Sequence, residues 1–340
     1  MRITPSIQAL LTAAALAALP LAGAQAGDTK DMKIALSNNY AGNSWRQAML
    51  KSWDKVTKQA VADGIVAEAP AFTTSENQAT EQAAQIQTMI LQGYNAIVIN
   101  AASPTAVNGA VKQACDAGIV VVSFDGIVTE PCAYRIAVDF KKLGSMQIDY
   151  LKSRGIKGNL LEIRGIAGVF VDDEIHAGIT TAVAADADFK IVGSVHGNWT
   201  QTVAQKEVAG ILPTLPEVAA VVTQGGDGFG AAQAFKSAGR AVPTIFFGNR
   251  EDELTYWKEQ KDANGYQSMS ASIAPGAGTF AFWVAQQILA GAKPPQDMTL
   301  PILVVTQDSL EDDLKRTDKG SVTNKEYSQK EVIDFLAKAK

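Results

Sequence analysis

The chain has 340 residues, of which 19% are charged and 7% aromatic, and its formal net charge is −5 at pH 7. A nucleic-acid partner is disfavoured, because phosphate binding needs a concentrated basic surface and no Lys/Arg cluster occurs before the C-terminal tail. Binding to an anionic membrane surface is disfavoured for the same reason. The length is roughly twice that of a common domain, which favours two lobes, each with its own core.

The N-terminus has the features of a secretory signal peptide. Arg2 supplies positive charge, residues 10–21 form an apolar run, and Ala24-Gln25-Ala26 is a small-x-small cleavage site. The run is too short to span a bilayer, which takes about 20 apolar residues. No cysteine follows it, so a lipid anchor is not indicated. We therefore expect residues 1–26 to be removed and the mature chain to be soluble in the periplasm.

Short apolar runs alternate with helical patterns along the chain, which is typical of parallel sheets covered by helices. In chain order, the pattern predicts strands at residues 32–39, 65–72, 96–100, 119–125, 134–139, 159–163, 189–195, 218–224, 244–248, 268–273 and 300–306. The helices between them are predicted at residues 43–62, 75–93, 104–117, 142–154, 173–185, 200–212, 229–238, 252–261 and 276–290. Residues 307–323 are highly charged and predict a surface loop. Ser328 and Glu331 form a capping box that opens a last helix to Lys340.

Only two cysteines and two histidines occur, namely Cys115, Cys132, His176 and His196. An oxidising compartment favours a disulfide between the two cysteines. The alternative is that Cys115 is a buried residue on a helix face. Neither histidine lies near a cysteine in the sequence, so no metal site is expected, and no cofactor is expected either.

Four stretches resemble the ribose-binding-like, type I periplasmic binding proteins: residues 34–45 (IALSNNYAGNSW), 96–107 (AIVINAASPTAV), 117–126 (AGIVVVSFDG) and 221–231 (VVTQGGDGFGA). The resemblance implies an α/β fold of two doubly wound parallel-sheet lobes joined by a three-segment hinge. We place the hinge segments near residues 137–141, 270–273 and 300–303. The N-terminal lobe would then comprise residues 27–137 and 273–299, and the C-terminal lobe residues 138–272 and 300–340.

The resemblance also implies a function. A protein of this family is expected to close its lobes around a small sugar, sugar alcohol or sugar derivative and deliver it to the membrane permease of an ABC importer. We expect a monomer that catalyses no reaction. A receptor that reports its ligand to a membrane sensor or chemoreceptor shares this binding mechanism and remains an alternative.

A sugar needs carboxylates and amides for its hydroxyls and flat rings for its apolar faces. Strand ends of the first lobe supply Asn38, Asn43, Trp45, Arg46 and Asp125. The resemblance places amide and stacking positions at Asn43 and Trp45, although Trp45 could instead pack in the first helical turn. Asp125 ends the most apolar strand, where an unpaired carboxylate would be costly to bury; it matches the family's ligand-binding aspartate. The alternative for Asp125 is a cap or a turn.

Strand ends of the second lobe supply Trp199, Gln224, Asp227, Asn249 and Arg250, and Ser272 lies on a predicted hinge segment. Trp199 matches an aromatic ligand position of the family. Asp227 and Asn249 are the stronger candidates among the rest, although each could cap a helix.

The sequence departs from the family at one position. Many members carry a ligand-binding arginine three residues before the glycine equivalent to Gly178, but here that position is Ile175, preceded by Asp172, Asp173 and Glu174. Isoleucine cannot donate a hydrogen bond, which argues against ribose itself as the ligand. The extra acids could suit a more reduced, a larger or an amine-bearing ligand. Asp172 and Asp173 are more simply explained as residues that favour the positive end of a helix dipole.

One rival hypothesis is a dinucleotide-dependent enzyme. Residues 226–231 satisfy G-x-G-x-x-A after a strand, and the acids Glu251 and Asp252 follow about 20 residues later. The match lies in a late strand rather than in the first β/α turn, so it is weak. No G-x-S-x-G elbow occurs, which disfavours a serine hydrolase of the α/β class.

Overall fold

The computed structural model describes residues 27–339, so the predicted signal peptide lies outside the described residues. The described residues form twelve strands and eleven helices. The strands are β1 (Ile34–Asn38), β2 (Ala71–Thr73), β3 (Ala96–Asn100), β4 (Val120–Phe124), β5 (Tyr134–Ala137), β6 (Gly158–Arg164), β7 (Phe189–His196), β8 (Ala220–Thr223), β9 (Thr244–Ile245), β10 (Ser270–Ser272), β11 (Asp297–Thr299) and β12 (Leu303–Val305). The helices are α1 (Ser44–Ala62), α2 (Ala79–Leu91), α3 (Asn108–Asp116), α4 (Phe140–Ser153), α5 (Phe170–Ala184), α6 (Gln201–Ile211), α7 (Gly228–Ser237), α8 (Glu251–Asn264), α9 (Ala277–Leu289), α10 (Leu310–Lys315) and α11 (Gln329–Lys338).

Two parallel sheets define two lobes. The first lobe contains a six-stranded sheet in the order β11-β5-β4-β3-β1-β2, and the second contains a four-stranded sheet in the order β7-β6-β8-β9. Every residue of β1 and β3 is buried, because helices cover both faces of the first sheet. This explains why these strands read as continuous apolar runs. The α/β, doubly wound fold predicted from the sequence is confirmed.

The chain connects the two sheets through the segments that follow β5, β10 and β11, and the hinge at residues 137–141, 270–273 and 300–303 stays a prediction. It leaves β5 for α4, whose Gln147 bonds to the backbone of Thr223 in the second sheet. It returns after β10 to α9, and leaves again after β11, which pairs with β5. Strands β10 and β12 form a separate antiparallel pair beside the hinge.

A fourth passage follows that the sequence does not predict. Residues 318–323 pair with the start of α8 in the second lobe, where Thr323 N donates to Asn249 O at 2.8 Å. The chain then crosses to the first lobe, and α11 packs on α9 through Phe335, whose ring lies 5.0 Å from that of Phe280. The assignment of all of residues 300–340 to the C-terminal lobe is therefore wrong for this last helix. We call residues 318–328 the C-terminal strap.

Two further details differ from the sequence prediction, and a third agrees with it. The second strand is confined to Ala71–Thr73 rather than residues 65–72. The charged stretch 307–323 contains helix α10, which packs on α8 and buries Leu310. The last helix begins at the predicted capping box, since Ser328 Oγ accepts from the Glu331 backbone while the Glu331 carboxylate accepts from Ser328 N. Helix α10 was missed because its six residues are too few for a clear apolar period.

Cys115 at the end of α3 and Cys132 in the loop before β5 are joined by a disulfide, with their Cα atoms 6.4 Å apart. Helix α3 is thereby attached to the loop that leads into β5. None of the helices within residues 27–339 combines the length and the hydropathy needed to cross a membrane.

Candidate ligand-binding cleft

A cavity of about 50 Å³ lies between the two lobes. Both lobes and one hinge segment contribute to its wall, which is formed by Asn43, Trp45, Arg46, Asp125, Val171, Trp199, Gln224, Arg250, Ser272 and Ile273. The carboxyl ends of the parallel strands meet here, which is where open α/β sheets bind ligands.

The polar wall of the first lobe is a connected group of three side chains. Arg46 donates to Asp125 Oδ2 at 2.6 Å and to Asn100 Oδ1 at 3.2 Å, and Asn100 Nδ2 donates to the same Asp125 oxygen at 3.1 Å. Asp125 has a left-handed backbone conformation with φ 57°, which is strained for a non-glycine residue and recurs at ligand sites. The group holds a carboxylate and a guanidinium in fixed positions at the cavity.

Asn43 has two roles at the start of α1. Its Oδ1 accepts from Arg46 N at 2.8 Å and so caps the helix. Its amide also lines the cavity, and Nδ2 makes no hydrogen bond within the described part of the chain. The cap therefore orients a free donor towards the space between the lobes.

Two tryptophans line the cavity, Trp45 from the first lobe and Trp199 from the second. Trp45 packs on the Arg46 guanidinium at 4.8 Å, and its Nε1 donates to Ile273 O in the second hinge segment at 2.8 Å. Trp199 comes from the second lobe, has φ 54°, and covers Gly165, where a β-carbon would overlap the indole ring. Flat rings on both sides suit the apolar faces of a sugar ring.

Gln224 holds Trp199 in place. Its Oε1 accepts from Trp199 Nε1 at 3.2 Å and from Gly165 N at 3.1 Å, while its Nε2 donates to Asp172 Oδ1 at 2.8 Å. Asp172 is fully buried and pairs with Arg164 at 2.6 Å. The acid at the start of α5 thus serves an internal ion pair, and Gln224 acts mainly as a positioning residue.

Arg250 lines the cavity from the second lobe, and its side chain packs closely against Gly225 and Gly226. A β-carbon at Gly226 would overlap the guanidinium, and one at Gly225 would lie 3.0 Å from Arg250 Nη1. Both glycines have positive φ, 82° and 92° respectively. Arg250 Nη1 donates to Gly248 O at 3.0 Å. The glycine-rich loop therefore provides the space in which this side chain lies.

The same loop binds a carboxylate of its own chain. Glu253 Oε1 accepts from the backbone N–H groups of Gly226, Asp227 and Gly228 at 3.0–3.2 Å, and Oε2 accepts from Gly248 N at 2.8 Å. These are the donors that a pyrophosphate would need in a dinucleotide-binding loop. Because Glu253 occupies them, the G-x-G-x-x-A sequence has a structural explanation.

Three of the predicted ligand residues lie away from the cavity wall. Asn38 is fully buried and donates to Tyr40 O at 2.7 Å. Asn249 is also buried; it donates to Leu303 O at 2.8 Å and accepts from Ser270 Oγ at 2.6 Å, so it joins the hinge strands β10 and β12 to the second lobe. Asp227 is fully buried behind the glycine-rich loop, with no hydrogen-bond partner for either oxygen among the described residues.

Burial raises the pKa of Asp227 to about 8, and the nearby negative charge of Glu253 adds to this effect. Asp227 is therefore mostly protonated at neutral pH. Burial likewise raises the pKa of Asp252 to about 6, with Glu253 again contributing. Asp252 lines a neighbouring cavity that shares Asn43, Trp199 and Arg250 with the first.

The structure adds Val171 and Ile273 to the wall, neither of which was a predicted ligand residue, and it places there Arg250, which the sequence offered only as a weaker candidate beside Asn249. Arg250 directly follows Asn249 after β9, so the sequence identified the correct strand end. The adjacent Asn249 has φ 65°, which turns the chain and sends Arg250 to the cavity. Apolar positions such as Val171 and Ile273 carry no signal in a single sequence. Within residues 27–339, no three His, Cys, Asp or Glu side chains are grouped as a metal site would require.

Comparison with known proteins agrees with this architecture. Residues 34–293 match the model of the periplasmic binding protein domain. The ribose import binding protein of Salmonella typhimurium is 29% identical over 301 residues, covering 86% of this chain and 97% of that protein. The xylitol-binding protein of Mycolicibacterium smegmatis is 26% identical over 319 residues, covering 92% of this chain and 88% of that protein.

Among solved structures, an ABC transporter solute-binding protein from Thermobispora bispora is 34% identical and superposes with a TM-score of 0.84 over 90% of this chain and 95% of that chain. The family match, the two relatives and the solved structure each cover residues of both lobes. The chain belongs to the periplasmic binding protein family.

Proposed function

We propose that this chain is a periplasmic solute-binding protein that captures a small polyhydroxylated molecule, a sugar, sugar alcohol or sugar derivative, between its lobes. It delivers that ligand unchanged to the membrane permease of an ABC importer. The predicted signal peptide supports export to the periplasm. The names of the relatives, a ribose import binding protein and a xylitol-binding protein, support the ligand class and the transport role.

One observation carries the proposal: the cavity takes complementary groups from both lobes. Asp125, Arg46 and Asn43 provide an acceptor and donors on one side, and Trp199 provides a ring on the other. A hydroxyl both donates and accepts, so it satisfies the acid and the amide together. A ligand that touches both walls favours the closed state, because only that state completes all the contacts.

The test is the thermal stability of the mature protein after unfolding and refolding to strip bound ligand, measured across pentoses, hexoses, alditols and sugar acids. A ligand at about 100 times its Kd adds roughly 2.7 kcal/mol of stability. We expect a rise of several degrees in Tm with one carbohydrate class. Trp199→Ala should abolish that rise, since it removes the ring from one wall. A Tm that no carbohydrate changes would contradict the proposal.

A further inference from the structure

Arg250 is a buried cation without a matching anion. Two arginines of the described chain are only 5% exposed, Arg46 and Arg250, and both line the cleft. Arg46 pairs with Asp125 at 2.6 Å. The less buried Arg164 also has a carboxylate partner, Asp172. Within residues 27–339, no carboxylate forms an ion pair with Arg250, whose side chain makes one hydrogen bond, to Gly248 O.

The donors of Arg250 are largely unused. A guanidinium has five N–H groups, and Arg250 Nε is buried without a partner in the described residues. The side chain cannot easily turn away to find one, because Gly225 and Gly226 fit closely around it. A fixed, buried cation with free donors costs several kcal/mol unless an anion or strong acceptors reach it.

None of the acids near Arg250 within residues 27–339 forms a direct ion pair with it, although the charge of Arg250 partly opposes the rise that burial causes in the pKa of Asp252. The carboxylate of Glu253 already accepts backbone N–H groups at both oxygens. Asp227 has a pKa raised to about 8 by burial and is mostly neutral at pH 7. Asp252 lines only the neighbouring cavity, where its Oδ1 accepts from Glu253 N at 2.8 Å and from Gln201 at 3.4 Å.

We propose that the ligand itself supplies the missing anion: it is a sugar acid, such as a uronate or an aldonate, whose carboxylate pairs with Arg250 while its hydroxyls bind Asp125 and Arg46. This inference rests on the proposed function and narrows its ligand class. Arginine is the side chain best suited to hold a carboxylate, through two parallel hydrogen bonds. The carboxylate lies beside Asn43 and Trp199, which share both cavities with Arg250.

The experiment compares acids with neutral partners of the same stereochemistry. Isothermal titration calorimetry on the stripped, full mature protein at pH 7.5 would use glucuronate with glucose, galacturonate with galactose, and gluconate with glucitol. We expect at least one acid to bind tenfold or more tightly than its neutral partner. Arg250→Gln should weaken binding of that acid by about 100-fold, and by at least about tenfold more than it weakens binding of the neutral compound.

Two variants keep the result interpretable. Arg250→Lys retains the charge but not the planar fork, so it should bind the acid with intermediate affinity. Arg154→Gln removes the same charge from an exposed position at the end of α4 and should leave binding unchanged. The Tm of each unliganded variant establishes that it is folded before titration.

The outcomes separate this inference from the proposed function. Tight binding of neutral sugars without preference for their acids, or an equal loss of both in Arg250→Gln, overturns the inference and leaves the proposed function standing. If none of the three acids binds, the inference is overturned. The proposed function is overturned as well only if no pentose, hexose, alditol or sugar acid of the wider panel raises the Tm of the folded protein.

Discussion

Removing Asp125 should destabilise the protein as well as its binding site. The Arg46 and Asp125 side chains are 6% and 7% exposed and 2.6 Å apart, so Asp125→Ala leaves a buried guanidinium with only Asn100 Oδ1 as a strong partner. Breaking a buried pair from one side typically costs about 3–5 kcal/mol. Because Asn100 remains, we expect a loss of about 3 kcal/mol in the free energy of unfolding.

Replacing both partners should reverse most of that loss. In Arg46→Met/Asp125→Ala the buried charge is gone, and apolar replacements of buried pairs are often neutral or stabilising. We therefore expect the double variant to recover at least about 2 kcal/mol relative to Asp125→Ala, while its ligand binding stays lost. Stability would be measured by urea denaturation with linear extrapolation at fixed pH, where a constant slope m establishes that the unfolding transition is comparable.

A surface pair provides the control. Asp297 pairs with Arg135 through two hydrogen bonds, but its side chain is 72% exposed. Asp297→Ala should cost no more than about 1 kcal/mol. The reasoning is refuted if Asp125→Ala costs as little as this control, or if the effects of Arg46→Met and Asp125→Ala simply add.

Three further predictions concern the second lobe and the disulfide. The pKa of Asp227 is raised in the folded state, so the contribution of its protonated form to stability is fully present below about pH 4 and is lost as pH rises towards 8. Asp227→Asn should therefore flatten the fall in the free energy of unfolding between pH 5 and 8. Parallel curves of unfolding free energy against pH for the parent and the variant would contradict this. Gly226→Ala places a methyl group against the Arg250 guanidinium and should weaken ligand binding, as measured by calorimetry. Gly239 is the control, because it has a similar φ of 67° but lies in open space. Gly239→Ala should lower the Tm without changing the affinity for the ligand. Replacing Cys115 and Cys132 by serine should lower the free energy of unfolding, measured by urea denaturation, by about 3 kcal/mol, which is the chain-entropy value for a closed loop of this size. A variant as stable as the parent protein would show that the disulfide adds no stability.

The fold was predictable because local patterns determine most of it. A parallel strand such as β3 has a continuous apolar sequence because helices cover both faces of its sheet. The predicted bounds of β3 match the structure. Asp125 was predictable for a related reason, since a carboxylate after an apolar strand has little use in packing. The apolar stripe of α11 indicates that the helix packs, but not which lobe receives it, because amphipathicity carries no information about the partner.

The residues that line the cleft from the second lobe were harder to predict. Adjacent residues at a strand end point in different directions, and the choice between Asn249 and Arg250 depends on one left-handed residue. Asparagine adopts that conformation more readily than most residues, so Asn249 is an ambiguous candidate: it can form the turn or bind the ligand. A single sequence also shows no sign that Glu253 would occupy the N–H groups of the glycine-rich loop, since that contact joins segments about 25 residues apart.

The C-terminal strap brings the two ends of the described chain to the same helix. Gln286 on α9 donates to Thr29 Oγ1 at 3.0 Å and accepts from Gln329 Nε2 at 3.0 Å. A mechanical load applied between the two ends would therefore pass through α9 and the first lobe without pulling on the cleft. For the same reason, a pair of fluorophores attached at the two ends would keep a constant separation as the lobes close. A sensor built from this protein needs one of its labels on the second lobe.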